Sequence, residues 1–560
     1  MQPRSPRTVF LAFAALTALA LPLGAAERKI ASPSMEVTID DAFPRVVQYR
    51  WLATGALLYG QEDALSKVTI NGTDYVPTVA YTQASSSKGR YTLTVAELDV
   101  VLTIEVAVAG NALDFKVTRI AENGPTKIKT LEFKDHNLVS ARSTQAGAKL
   151  SACSGVEGDE FSDISARKPG FYRKSHAILN TGELAAAITN NTIQNRQQVA
   201  IQTVAKPEYI RTGLTNGSWR YRYLDTEIVE LPWSKVVVCG DMNDDKTVDW
   251  QDGAIALRSV LKPRFGAEKL QNSTCYIVMN FESLAQNPFL RTLDNVKKFS
   301  NLIDGFGQLV ELKGYQSEGH DSAHPDYGGN YNTRAGGLKD MNFLIEKAAD
   351  YNTDIGIHIN HTEAYPEAQT YTKELLHQPV SKGWAWLDQS YHIDRFADII
   401  SGNLDARLDL LKKEVPKLAF TYVDTYSGQE WEAWKLGTKL NSLGFAVWTE
   451  FAQNFDTYSI WTHQSWGPTK VGRFLFNQER DVWNNHPLLK GGTDRNHTGH
   501  SGWQNHKDVH DTLEMFYSNV LPNRYMMHFP IKKWADDRID FAGADVSSRL
   551  ENGIFTLYKD

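Results

Sequence analysis

Two spacings of apolar residues divide the chain. From Glu27 to Val238 apolar and polar positions mostly alternate, the period of strands with one buried face. Leu102, Ile104, Val106 and Val108 alternate with Thr103, Glu105 and Ala107. Gly110-Asn111 then offers a turn, and Leu113, Phe115 and Val117 resume the alternation. That pattern predicts a hairpin. Similar runs recur at Ser34 to Ile39, Tyr91 to Val95 and Lys127 to Phe133, and no strong helical stripe precedes residue 250. The expectation for 27–240 is a large antiparallel β-sandwich.

After Lys262-Pro263 short apolar runs alternate with helical stripes. Cys275 to Phe281, Gln308 to Leu312 and Asp354 to Ile359 read as strands. Asn287 to Ile303 reads as a helix, with Leu290, Leu293, Val296 and Phe299 at helical spacing, as do Leu338 to Tyr351 and Leu404 to Val415. Ala419 to Val423 is a buried-strand run that Asp424 ends. Leu436, Leu440 and Leu443 follow as a helical stripe that Gly444 stops. Phe445 to Trp448 is another strand, and Glu450 ends it. Arg473 to Phe476 and Tyr525 to Phe529 are further strand candidates. The fold class expected is α/β plus all-β: a (β/α)₈ TIM-type barrel over 263–545, preceded by the sandwich, with 546–560 beginning a C-terminal β element.

Composition narrows this picture. A chain of 560 residues exceeds one compact core, which fits the division into domains. The net charge of −7 argues against nucleic acid or an anionic membrane as partner. Three cysteines, Cys153, Cys239 and Cys275, allow at most one disulfide. Arg4 and Arg7 precede an apolar run from Val9 to Leu23, and Gly24-Ala25-Ala26 offers a cleavage site. Residues 1–26 therefore read as a secretory signal peptide, with a secreted or periplasmic product that has no stable membrane association.

Residues 241–252, DMNDDKTVDWQD, interrupt the strand pattern before a helix at Gly253 to Leu261. Asp241, Asn243, Asp245, Thr247, Asp249 and Asp252 have the spacing of an EF-hand calcium loop. Lys246 stands where that loop usually has glycine, and Asp252 where it has a bidentate glutamate. The expectation is a structural Ca²⁺ site within a linker at 241–262, and no cofactor for catalysis.

Asp424 and Glu450 place two carboxylates at the C-terminal ends of successive strands, the rim on which barrel enzymes build their chemistry. Paired carboxylates there point to glycoside hydrolysis. The same residues would also serve to cap helices or pair with arginines. The second strand runs into GYQSEGHDSAHPDYGG, which gathers Glu318, His320, Asp321, His324 and Asp326. The third ends in HINHTEAYPEA, with His358, Asn360, Glu363 and Tyr365. Trp384 and Trp386 form a W-x-W pair, and ten of fourteen tryptophans fall between 384 and 534. Aromatic faces pack against pyranose rings while carboxylates and amides hold the hydroxyls.

These segments, together with YVDTY and WTEF, resemble glycoside hydrolase family 101, the endo-α-N-acetylgalactosaminidases, over roughly residues 240–540. The resemblance implies release of Galβ1-3GalNAc from α-linked serine or threonine of mucin-type O-glycoproteins, with retention of configuration. It implies Asp424 as nucleophile and Glu450 as acid/base. Trp384 and Trp386 match a mobile pair that closes over the sugar, and His320 and Asp321 match contacts to the disaccharide; His358, Asn360 and Glu363 are the other candidate sugar ligands. There are departures: a shorter segment between the two acids, His361 where a small residue is usual, and a chain that ends soon after the barrel where larger relatives add β-modules. An exo-acting α-glycosidase and a non-catalytic glycan-binding protein are the alternatives.

Overall fold

The computed structural model describes residues 26–154, 158–193, 199–215, 217–281, 285–385, 388–451, 455, 457–462, 481–482, 487–489, 509–543 and 545–559. The expected signal peptide, Trp386 and the strand candidate Arg473 to Phe476 fall outside them.

The N-terminal half is β throughout. Two antiparallel sheets of eight and nine strands are joined by a four-stranded one. The predicted hairpin is Val100–Ala109 and Ala112–Glu122, with Ala112 opposite Ala109. Its first strand buries every second residue until the turn. These inward residues, from Ile30 to Val238, merge into one core. All three cysteines are buried and none forms a disulfide.

Helix α1 (Trp250–Val260) starts at a capping box made by Asp249 and Asp252. It lies on the strands His176–Asn180, Ala185–Asn190 and Trp233–Cys239, and so covers one face of the nine-stranded sheet.

Seven parallel strands follow, and they pair in sequence order. They are β1 (Ser273–Met279), β2 (Gly307–Lys313), β3 (Thr353–Asn360), β4 (Phe420–Asp424), β5 (Ala446–Thr449), β6 (Ser459–Thr462) and β7 (Asp481–Val482). The connections carry α2 (Phe289–Leu302), α3 (Gly337–Ala348), α4 (Arg395–Ile400), α5 (Asn403–Glu414) and α6 (Trp431–Ser442). One face of the sheet (Val310, Leu312, Ile355, Ile357, Val423, Val447) packs under these helices. The other face gathers Cys275, Ile277, Leu309, Phe420, Tyr422, Trp448 and Trp461 into a cluster of their own. The count of eight strands is not reached among the described residues.

Two boundaries differ from the sequence reading. Tyr525 to Phe529 is not a strand: Leu521–Met527 is helical, with Met526 and Met527 buried. So short an apolar run carries no period that tells the two apart. The C-terminal β element starts at Ile531 rather than 546. It is a four-stranded antiparallel sheet, Ile531–Trp534, Arg538–Phe541, Val546–Glu551 and Ile554–Lys559, with Ile531, Trp534, Ile539 and Phe541 in its own core. No described helix is long and apolar enough to cross a membrane.

Candidate active site

The candidate residues collect at the C-terminal ends of β2 to β5. Register explains the gathering: Asn360 pairs with Asp424, and Val423 with Thr449, so β3, β4 and β5 end at one level. Asp424 is 8% exposed. The Glu450 N–H donates to Val423 O at 3.1 Å, and Glu450 Oε2 accepts from the Thr425 N–H at 3.2 Å. The two acids therefore face the same end of β4.

Thr425 has φ of 38°, a left-handed backbone that a β-branched residue rarely takes. The bend is held from β3. The Thr362 hydroxyl donates to Thr425 O at 3.0 Å, and Asn360 Nδ2 donates to Thr425 Oγ1 at 3.3 Å. Asn360 Oδ1 in turn accepts the N–H groups of Thr362 and Glu363 at 2.7 and 3.0 Å. Asn360 thus shapes the loop that carries Glu363 and the turn after Asp424.

His320 and Asp321 reach the rim through a loop pressed against the end of β1. His320 N–H donates to Asn280 O at 2.7 Å. Gly314 and Gly319 have positive φ, and a Cβ on either would meet backbone oxygens of Asn280 or Phe281 at 2.0 and 2.5 Å. Only glycine fits there. Asp321 Oδ1 lies 3.1 Å from His320 Nδ1 and 3.8 Å from His324 Nε2. His358 stands edge-on to His320, with ring centroids 4.9 Å apart, and its Nε2 is 3.4 Å from Asp424 Oδ1.

The electrostatics separate the two acids. Burial alone would raise the Asp424 carboxyl. The Lys313 ammonium, 3.6 Å from its Oδ1, overturns this, with help from His358 and His320, and holds Asp424 well below the usual carboxylate range. Burial and then the neighbouring Asp424 charge push Glu450 up to about 7. Burial, followed by Asp424, raises Asp321 to about 8. His320, His324 and His358 are pushed down by burial, His358 to about 4, so they are neutral hydrogen-bonding groups at neutral pH.

Two charged residues on β2, Lys313 and Glu311, lie buried near these acids, and Glu311 acts on them by charge rather than through a hydrogen bond. They went unread in the sequence. The available signal was two charges at alternate positions of a strand whose every residue is buried, an arrangement that burial tolerates only for a purpose.

The tryptophan pair is reached only in part. Trp384 is 62% exposed, on a small three-stranded sheet formed by Glu363–Ala364, Lys382–Ala385 and Gln389–His392. Its backbone N–H donates to Glu363 Oε1 at 2.7 Å, which ties it to the β3 loop. His361 is explained by structure. It is fully buried, with Nε2 2.9 Å from Asp398 Oδ2, and Arg407 also grips Asp398 at 2.9 and 2.5 Å.

The metal candidates divide. In the acidic loop Asp241, Asn243 and Asp245 accept loop N–H groups at 2.8 to 3.1 Å, and Asp252 accepts those of Met242 and Asp249. Lys533 Nζ already lies 3.0 Å from Asp245 Oδ2. His320, Asp321 and His358 hold ligand atoms within 4.8 Å of one another. The Lys313 ammonium, whose charge acts on all three groups, makes that spot unfavourable for a cation.

The profile described as endo-alpha-N-acetylgalactosaminidase, glycoside hydrolase family 101, matches residues 251–513. A galactose mutarotase-like fold domain matches 30–250. A protein of Renibacterium salmoninarum named "Putative endo-alpha-N-acetylgalactosaminidase" is 36% identical over 93% of the chain, which spans 37% of that relative's length. In fold, the chain is similar to the alpha-N-acetylgalactosaminidase NagBb from Bifidobacterium bifidum, with TM-score 0.55 at 11% identity over 95% of this chain and 100% of that one. It is also similar to the GH36 alpha-galactosidase AgaA from Geobacillus stearothermophilus, with TM-score 0.61 at 10% identity over 94% and 92%. Residues 251–513 thus match the endo-alpha-N-acetylgalactosaminidase family, glycoside hydrolase family 101, and the chain is similar over 93% of its length to a relative so named.

Proposed function

We propose that this protein is a retaining, endo-acting glycoside hydrolase that releases Galβ1-3GalNAc from α-linked serine or threonine of O-glycoproteins. One observation carries the chemistry: two carboxyl groups at neighbouring strand ends whose proton affinities are driven apart, one down and one up to about 7. Such a split assigns base-like and acid-like roles. Glu450, protonated, donates to the departing serine or threonine oxygen. Asp424, ionised, attacks the anomeric carbon and forms a glycosyl-enzyme. Glu450 then takes a proton from water, and the water oxygen displaces Asp424 with net retention.

The neighbours serve this sequence. Lys313 keeps Asp424 charged. Neutral His320 and His358, with Asp321, Asn360 and Glu363, offer donors and acceptors to the sugar hydroxyls. The exposed Trp384 face supplies an apolar wall, and Trp386 its expected partner. Seven parallel strands in sequence order, with one face packed upon itself, support a closed (β/α)₈ barrel around the site.

The test is incubation with a core 1 O-glycopeptide and identification of the sugar released. The disaccharide as its α-anomer is expected. Release of a monosaccharide alone would identify an exo-acting α-glycosidase, β-anomer would refute retention, and binding without turnover would identify a glycan-binding protein.

We further propose that residues 241–252 hold a structural Ca²⁺. The support is the hydrogen-bonded turn that directs Asp241, Asn243 and Asp245 inward, with Thr247 and Asp252 completing the set. The ion would displace the Lys533 ammonium from Asp245. Calcium titration followed by thermal unfolding should raise the midpoint; no calcium effect would refute the site. The leader-like segment Arg4 to Ala26 supports export.

A further inference from the structure

Beneath the catalytic pair lies a third acid. Glu311 on β2 is 0% exposed, and neither of its carboxyl oxygens has a hydrogen-bond partner. It points to the same face of the strand as Lys313, two residues on. Across the sheet its paired neighbours are Ile277 on β1 and Gly356 on β3, which offer no charge. The groups that face it are Lys313 on its own strand, Tyr422 and Asp424 of β4, and Glu450 after β5. With Asp321, four acids thus share the Lys313 ammonium.

If Glu311 were ionised, a buried carboxylate would stand without a hydrogen bond, which is costly. It would also repel Asp424 and compete for Lys313, 3.6 Å from Asp424 Oδ1. We propose that Glu311 is a positioning residue that works as an uncharged carboxylic acid. Its proton leaves Lys313 to Asp424 at neutral pH, and its ionisation at higher pH holds the proton on Glu450. Burial first, against the pull of Lys313 and with Asp424 and Glu450 adding to it, places this titration at about 8, just above that of Glu450 at about 7. As Glu450 begins to lose its proton, a nearby charge develops that opposes the loss, and the two groups titrate as a coupled pair.

The inference rests on the roles proposed for Asp424 and Glu450. Its test compares wild type, Glu311→Gln and Glu311→Asp by kcat/KM against pH on an aryl glycoside of the disaccharide. Infrared spectra of the carboxylic-acid C=O stretch at neutral pH accompany them. Glu311→Gln, neutral and nearly the same shape, should stay within about twofold of wild type below pH 7. Above it, activity should fall about tenfold per pH unit, more steeply than in the wild type. Glu311→Asp should restore the gentler slope, and Glu311→Gln should lose one carboxylic-acid band. A downward move of the alkaline limb by about one unit in Glu311→Gln would mean the group was already charged, and would overturn the proposal. So would an unchanged limb with an intact band, or an equal loss at every pH that Glu311→Asp does not relieve. The infrared band is read without turnover. Failure of the catalytic assignment itself shows separately, as activity surviving in Asp424→Asn.

Discussion

Replacing Lys313 with methionine tests the electrostatic design most directly. The ammonium lies 3.6 Å from Asp424 Oδ1, and both groups are buried. At an effective dielectric of about 20, Coulomb's law gives about 5 kcal/mol for such a pair. Burial limits relief by salt. Asp424 is held below its ordinary value in the wild type, so its charge persists into strongly acid solution. Without Lys313, burial is still opposed by His358 and His320 but no longer by an ammonium, and Asp424 rises toward the ordinary carboxylate range. Glu450 also loses a cation that lowers it, and moves up. In Lys313→Met the whole bell of kcat/KM against pH should therefore shift to higher pH, with a new acid limb. Folding should suffer too, by about 3–5 kcal/mol for an orphaned buried charge. The sign is clear. A depressed carboxylate stabilises the fold above its unfolded value and loses that contribution as pH falls, so the variant's deficit should shrink toward acid pH. A uniform loss of activity, with both limbs within about half a unit of wild type, would refute the reasoning and make Lys313 a sugar contact instead.

The other expectations are simpler. Asp424→Asn should lower kcat by at least about a thousandfold, while azide should partly rescue Glu450→Ala on an activated substrate and yield a glycosyl azide; full activity in either refutes its role. In the wild type, kcat/KM should decline as pH rises through about 7, where Glu450 gives up its proton; a decline placed far from this value contradicts the assignment. Trp384→Ala should raise KM while leaving the unfolding midpoint nearly unchanged, because the indole is 62% exposed. Arg407→Met should destabilise the protein by about 3–5 kcal/mol without moving the pH profile, since Asp398, fully buried in its side chain, would keep only His361. Asp398 is held down to about 2, against its burial, by hydrogen bonds from His361 and Arg407. Its contribution is thus present above the ordinary aspartate value and lost as pH falls toward 2.

Local pattern alone was enough to find the hairpin at Val100–Ala109 and Ala112–Glu122, the five parallel strands from Ser273–Met279 to Ala446–Thr449 with the helices Phe289–Leu302, Gly337–Ala348, Asn403–Glu414 and Trp431–Ser442, and the acids at two strand ends; it missed Arg395–Ile400 and the small three-stranded sheet. Period and position along one element carry that information, because a strand's end lies at the rim whatever surrounds it. The resemblance to a family added roles for Asp424, Glu450, His320 and Asp321. Glu311 and Lys313 escaped because two alternating charges in a strand do not by themselves say that both are buried; only the convergence of β2, β4 and β5 shows which charges answer one another. Leu521–Met527 and the sheet beginning at Ile531 escaped because short apolar runs take their form from what they pack against. Asp424 and Glu450 are two ordinary acids in the sequence. Their opposite proton affinities come from packing, since Lys313 and His358 press upon one and Asp424 itself upon the other, and those distances exist only in the folded chain.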